Sequence, residues 1–133
     1  MYAISAISAP RSARVGDRLR TADLGPRRTR RLEATALLVP GRGGVDAYLA
    51  KLTSAAQEFA GWDGVVSTTD ADDEATHRLL VVDRYRQVYA VYEAASPDGL
   101  PGASELEEWF RFLATACPEC GVIDDPVRDG PTP

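Results

Sequence analysis

His77-Arg78-Leu79-Leu80-Val81-Val82-Asp83-Arg84-Tyr85-Arg86-Gln87-Val88-Tyr89-Ala90-Val91-Tyr92-Glu93-Ala94-Ala95-Ser96-Pro97 is the stretch on which the fold turns. From Leu79 to Tyr85 the residues alternate as a strand requires. Leu79, Val81, Asp83 and Tyr85 share one face, and Leu80, Val82, Arg84 and Arg86 the other. The period then lengthens: Val88, Val91, Tyr92 and Ala95 fall on one stripe of a 3.6-residue repeat. The spacing predicts a strand running into a short helix that closes at Ser96-Pro97, because the residue before a proline is pushed out of helical geometry.

Upstream, Leu32 to Val39 predicts a first strand, stopped by the breaker run Pro40-Gly41-Arg42-Gly43-Gly44. No Lys-Ser or Lys-Thr follows these glycines, so the run reads as a strand-to-helix turn and not as a phosphate cradle. Val45, Tyr48, Leu49, Leu52, Ala55, Ala56 and Phe59 make one apolar stripe, which predicts a helix over 45–59 with Gly61 ending it. Trp62 to Thr69 is the second strand. Asp70, Asp72, Asp73 and Glu74 lack the glycine and the closing glutamate of a common calcium loop, and read as a solvated turn.

Downstream, Asp98 to Gly102 is a loop, and Ser104 to Leu113 is a helix with Ser104 as N-cap and Leu106, Phe110 and Leu113 as its buried stripe. Gly121 to Ile123 is a candidate last strand. The order β-α-β-β-α-(α)-β is α+β, a ferredoxin-like sandwich with helices on one side of the sheet. The bare side needs cover, and a second subunit packed sheet to sheet, as a dimeric α/β barrel, supplies it most simply. The expected division is a flexible basic arm over 1–30, the α+β domain over 31–124 and a disordered tail over 125–133.

Asp83-Arg84-Tyr85 at a strand end, followed at fixed spacing by Ala90, Val91 and Ser96, resembles the antibiotic biosynthesis monooxygenase family. Phe59-Ala60-Gly61-Trp62 is similar to that family's helix-ending turn, and Val39-Pro40-Gly41 to the turn after its first strand. The resemblance covers about Leu32 to Pro97. It implies a homodimeric barrel that oxidises an aromatic, polyketide-like phenol to a quinone with dioxygen as co-substrate and no cofactor. A polyketide cyclase or a non-catalytic small-molecule-binding protein on the same fold are the alternatives. Ala94 stands where many members carry a histidine.

Composition narrows the partners. Residues 1–31 carry eight arginines against Asp17 and Asp23, a net of +6; since the whole chain is −5, residues 32–133 carry −11. An acidic body argues against nucleic acid as the main partner. No apolar run approaches the roughly 20 residues of a membrane span, and no export signal is legible, so a cytoplasmic protein is expected.

Catalytic groups are few. One histidine and two cysteines leave no metal-ligand cluster and no His-dependent triad. Cys117-Pro118-Glu119-Cys120 lacks the second ligand pair of a zinc ribbon. It also follows a helix C-terminus, the wrong pole for an acidic thiol. Reduced structural thiols are expected, with a redox pair or an intersubunit metal site as alternatives. His77 or Tyr85 is the expected proton handler, and Arg86 or Trp62 the stabiliser of an anion or peroxide. Phe59, Tyr89, Tyr92 and Trp109 are expected to line an aromatic substrate pocket between sheet and helices.

Overall fold

A computed structural model describes residues 9–24 and 33–115. The sheet has four strands, β1 (Ala34–Val39), β2 (Gly64–Thr68), β3 (His77–Val82) and β4 (Val88–Ala94), in the order β2-β1-β3-β4. β1 and β2 run parallel, β3 is antiparallel to β1, and β4 is antiparallel to β3. Helices α1 (Asp46–Ser54) and α2 (Ala56–Ala60) connect β1 to β2, and α3 (Ala103–Thr115) follows β4. The class is α+β with a mixed sheet, as expected.

The helix expected over 88–95 is a strand. A bulge at Val81/Val82 sets Val88 opposite Val82 and Ala90 opposite Val81, leaving Tyr89 as the extra residue. Val88 and Val91 then face one side of the sheet while Tyr89, Ala90, Tyr92 and Ala94 face the other. An inserted residue thus turns a spacing of two into one of three, which imitates a helical stripe. β3 also stops at Val82, short of Tyr85, because residues 83–87 form the hairpin turn.

Other boundaries move less. The long helix over 45–59 breaks at Ala55 into α1 and α2. Gly61 keeps right-handed helical angles, and the left-handed residue that turns the chain into β2 is Asp63, at φ 58°. α3 begins at Ala103, so Ser104 lies inside its first turn instead of capping it.

Two cores flank the sheet. Ala34, Ala36, Leu38, Leu79 and Val81 pack beneath Tyr48, Leu52, Phe59, Leu106, Phe110 and Leu113 of the helices. Leu37, Val39, Leu80, Val82 and Val88 pack beneath Ala13, Leu19 and Leu24. Every residue of β1 and β3 is buried, as in a sheet covered on both faces. The side expected to need a second subunit is therefore covered by residues 9–24 of the same chain. That segment, expected to be part of a flexible arm, forms the third layer. The expected strand at 121–123 and the tail lie outside the described residues.

Candidate functional site

His77 opens β3 and is 1% exposed. Its Nδ1 accepts the Gly41 N–H at 2.9 Å. The imidazole thereby ties the β1–α1 turn to β3. Gly41 is obligatory there, because a Cβ would press on the carbonyl oxygens of Thr76 and Glu74. The expected proton handler is a buried brace.

Tyr85 and Arg86 sit at the opposite end of β3, in the hairpin turn. Asp83 Oδ1 accepts the N–H groups of Tyr85 (2.8 Å) and Gln87 (2.9 Å), and Arg86 holds a left-handed φ of 73°. Burial pushes the Asp83 carboxyl above its ordinary range, against those two hydrogen bonds and the nearby Arg18 and Arg84. The Tyr85 ring is half exposed under the Arg84 guanidinium, 5.5 Å from its centroid. Arg86 Nη1 donates to the Leu19 carbonyl at 3.0 Å, so it binds the N-terminal segment.

The remaining aromatic residues fasten the helices to the sheet. Trp109 Nε1 donates to Tyr92 Oη at 2.9 Å, and that hydroxyl donates to Glu105 at 2.8 Å. Burial and the Glu105 carboxylate push Tyr92 up to about 12. Burial also raises Tyr89 and Tyr48, whose hydroxyl donates to the Pro101 carbonyl at 2.8 Å. Tyr89 and Trp109 both meet the Phe112 ring edge to face, and Trp62 Nε1 donates to Glu107 at 3.3 Å. Tyr89, Tyr92, Trp109 and Phe112 are thereby linked into one aromatic group between β4 and α3.

A groove opens elsewhere among the described residues. It has a volume of about 620 Å³ and runs between β2 and the α1–α2 layer, with Leu49, Leu52, Phe59 and Val66 along its wall and Glu33 and Thr53 among its polar groups. Phe59 alone of the eight expected site residues lines it. Sequence reasoning missed the others, since a groove along a sheet edge depends on which strand ends the sheet, and no local pattern states that.

The turn Pro40-Gly41-Arg42-Gly43-Gly44 carries β1 into α1. A thiolate is best stabilised at such a helix start, where free N–H groups converge. No cysteine occurs in this turn. Cys117 and Cys120 lie outside the described residues, Cys117 two positions past the last residue of α3. Among the described residues no group of three His, Cys, Asp or Glu side chains could hold a metal ion, and no helix is long and apolar enough to cross a membrane.

No protein-family model, curated protein or solved structure matches this chain.

Proposed function

We propose that this chain is a thiol–disulfide redox domain of thioredoxin-like build, with Cys117 and Cys120 as its dithiol. The strand arrangement carries the reading: β1 and β2 are adjacent and parallel across a helical connection, β3 is antiparallel to the other three, and α3 follows the β3–β4 hairpin. A Cys-x-x-Cys near a β-α-β unit reads as a thioredoxin-type pair; in this chain Cys117 and Cys120 come after α3 in sequence and not at the β1–α1 turn. The layers are also compatible with a ferredoxin-like sheet. That sheet is built on a split β-α-β unit, however, and the adjacency of β1 and β2 favours the thioredoxin-like arrangement.

A fold does not assign an activity; the dithiol supplies the chemistry. One thiolate attacks a sulfur of a substrate disulfide and expels the other sulfur as a thiolate, leaving a mixed disulfide. The second cysteine then attacks that bond. The substrate leaves as a dithiol, the pair becomes a disulfide, and two electrons and two protons have passed to the substrate. In sequence, Cys117 comes two positions past the last residue of α3. The potential of the pair is expected near or below about −270 mV, the thioredoxin value. The test is dithiothreitol-driven reduction of a protein disulfide by the full chain, beside Cys117→Ser and Cys120→Ser. Acceleration lost in both variants supports the reading; equal rates for all three remove it.

A second reading rests on the groove: an apolar small molecule, such as the aromatic substrate implied by the resemblance, lying against Phe59. The short helix on which that resemblance places Ala90 and Val91 is β4 here, and His77, Tyr85, Arg86 and Trp62 do not line the groove. This reading is therefore of binding first and of cofactor-free oxygenation or cyclisation second. Oxygen uptake with polycyclic phenols, compared with their binding, separates the three.

A further inference from the structure

The two edges of the sheet are built differently. β4 begins beside the N-terminal segment, where Gly16 N–H donates to the Val88 carbonyl (2.8 Å), Val88 N–H to that of Asp17 (2.8 Å) and Leu19 N–H to that of Arg86 (2.9 Å). That strand also carries the charged Glu93 and a bulge against β3. Such devices discourage a further strand. β2, at the other edge, has none of them: Gly64-Val65-Val66-Ser67-Thr68 is uncharged, free of proline and in unbroken parallel register with β1. Its ladder is fixed at both ends, since Ala34 N–H donates to the Asp63 carbonyl and Thr69 N–H to that of Leu38, each at 2.9 Å. In that register Val65 and Ser67 turn their N–H and C=O groups to β1. Gly64, Val66 and Thr68 turn theirs outward, and among the described residues these groups have no hydrogen-bond partner. All five residues of β2 line the groove beneath α1 and α2.

We propose that this groove docks an extended segment of another protein, which adds to β2 as a further strand and places a Lys or Arg beside Glu33. The outward N–H and C=O groups of Gly64, Val66 and Thr68 pair with the backbone of the segment, the source of affinity in strand addition. Its side chains on the helix side enter among Leu49, Leu52, Ala56 and Phe59, which selects apolar residues at alternate positions. Charge selects the end of the segment. Glu33 is the one charged side chain on the groove wall, it makes no ion pair among the described residues, and it directly precedes Ala34, the partner of Gly64. A second copy of this chain does not meet these requirements. The helix-side residues of its β2 are already committed, Gly64 against the Phe110 ring and Val66 within the core. The proposal stands apart from the dithiol, and gives the groove to a peptide in place of a small apolar molecule.

The experiment uses the full chain and an acetylated, amidated peptide, Lys-Val-Thr-Val-Thr-Val-Lys, whose two basic ends serve either direction of pairing. Amide hydrogen exchange reads the result. Without peptide, the Gly64, Val66 and Thr68 amides are expected to exchange faster than those of Val65 and Ser67. With peptide they are expected to slow to the rate of those two, and the same peptide methylated at its backbone nitrogens is expected to leave them fast. Val66→Pro removes one outward N–H without touching the β1 ladder, and is expected to lose the slowing at Gly64 and Thr68. If that variant does not fold, the methylated peptide makes the same test on the wild type. Glu33→Gln is expected to weaken the peptide about two- to fivefold, the range of an exposed ion pair. No binding, binding that leaves the three amides fast, or slowing that survives methylation overturns the proposal. So do amides already slow in a peptide-free chain that sediments as a dimer, which would give the edge to a second copy. Equal affinity in Glu33→Gln overturns the basic end of the segment.

Discussion

His77, expected as a proton handler, is a buried side chain that holds the β1–α1 turn against β3. Its Nδ1 is the acceptor for a buried backbone N–H, so replacing it by Phe leaves Gly41 N–H without a partner. The expected loss is about 1–3 kcal/mol of stability, measured by denaturant unfolding. Gly41→Ala is expected to cost at least as much, since its Cβ would meet backbone that cannot rotate away. Gly64→Ala is the companion case, with the Phe110 ring as the obstacle. Asp83 makes a prediction in pH. Its folded carboxyl binds a proton more tightly than the unfolded one, because burial opposes the charge. The stability it contributes is therefore fully present below the ordinary carboxylate range and lost as pH rises through the raised value. Asp83→Asn keeps an oxygen for the Tyr85 and Gln87 N–H groups while removing the buried charge. Unfolding measured across that window should then lose its fall with rising pH. Asp83→Ala also loses the turn hydrogen bonds and should be about 1–2 kcal/mol less stable.

Elements were legible where the chain repeats without interruption. β1, β3, the α1–α2 layer and α3 all fall close to the positions their patterns predict. β4 did not, and the reason lies in one residue. Tyr89 is the bulge, and skipping it gives Val88 and Val91 the three-residue spacing of a helix. The composition of the run, with Val88, Tyr89, Val91 and Tyr92 all branched or aromatic, was the competing signal for a strand. The two sides of β4 can be told apart by mutation. Val91→Asp should loosen the N-terminal segment, because Val91 packs on that core. Tyr92→Phe should leave the segment alone and weaken the link to Trp109 and Glu105 by about 1 kcal/mol. Hydrogen exchange at Gly16 and Leu19 distinguishes the outcomes. The N-terminal segment was illegible for a different reason. Ala13, Leu19 and Leu24 are too far apart in sequence to form a stripe, and only the apolar second face of the sheet gives them something to cover.

At the scale of the whole molecule, burial on both faces of β1 and β3 makes a three-layer domain closed by its own chain. Closure removes the physical reason for expecting a sheet-to-sheet dimer. Strand order, which no local pattern states, sets β1 and β2 side by side and parallel in a sheet compatible with the expected ferredoxin-like class. The proposed function accordingly rests on Cys117 and Cys120 and not on residues of the sheet. The expected site residues follow the same logic: residue type marked His77, Tyr92 and Trp109 as capable of chemistry, but their partners are Gly41, Glu105 and one another. The measurement that tests the central claim most directly is the mass of the intact chain after equilibration over a series of reduced and oxidised dithiothreitol ratios. The account predicts a reversible two-electron transition, about 2 Da lighter when oxidised, abolished by Cys117→Ser, with a midpoint near or below about −270 mV. A chain that keeps both thiols under the most oxidising ratio, or forms only disulfides between chains, would contradict it.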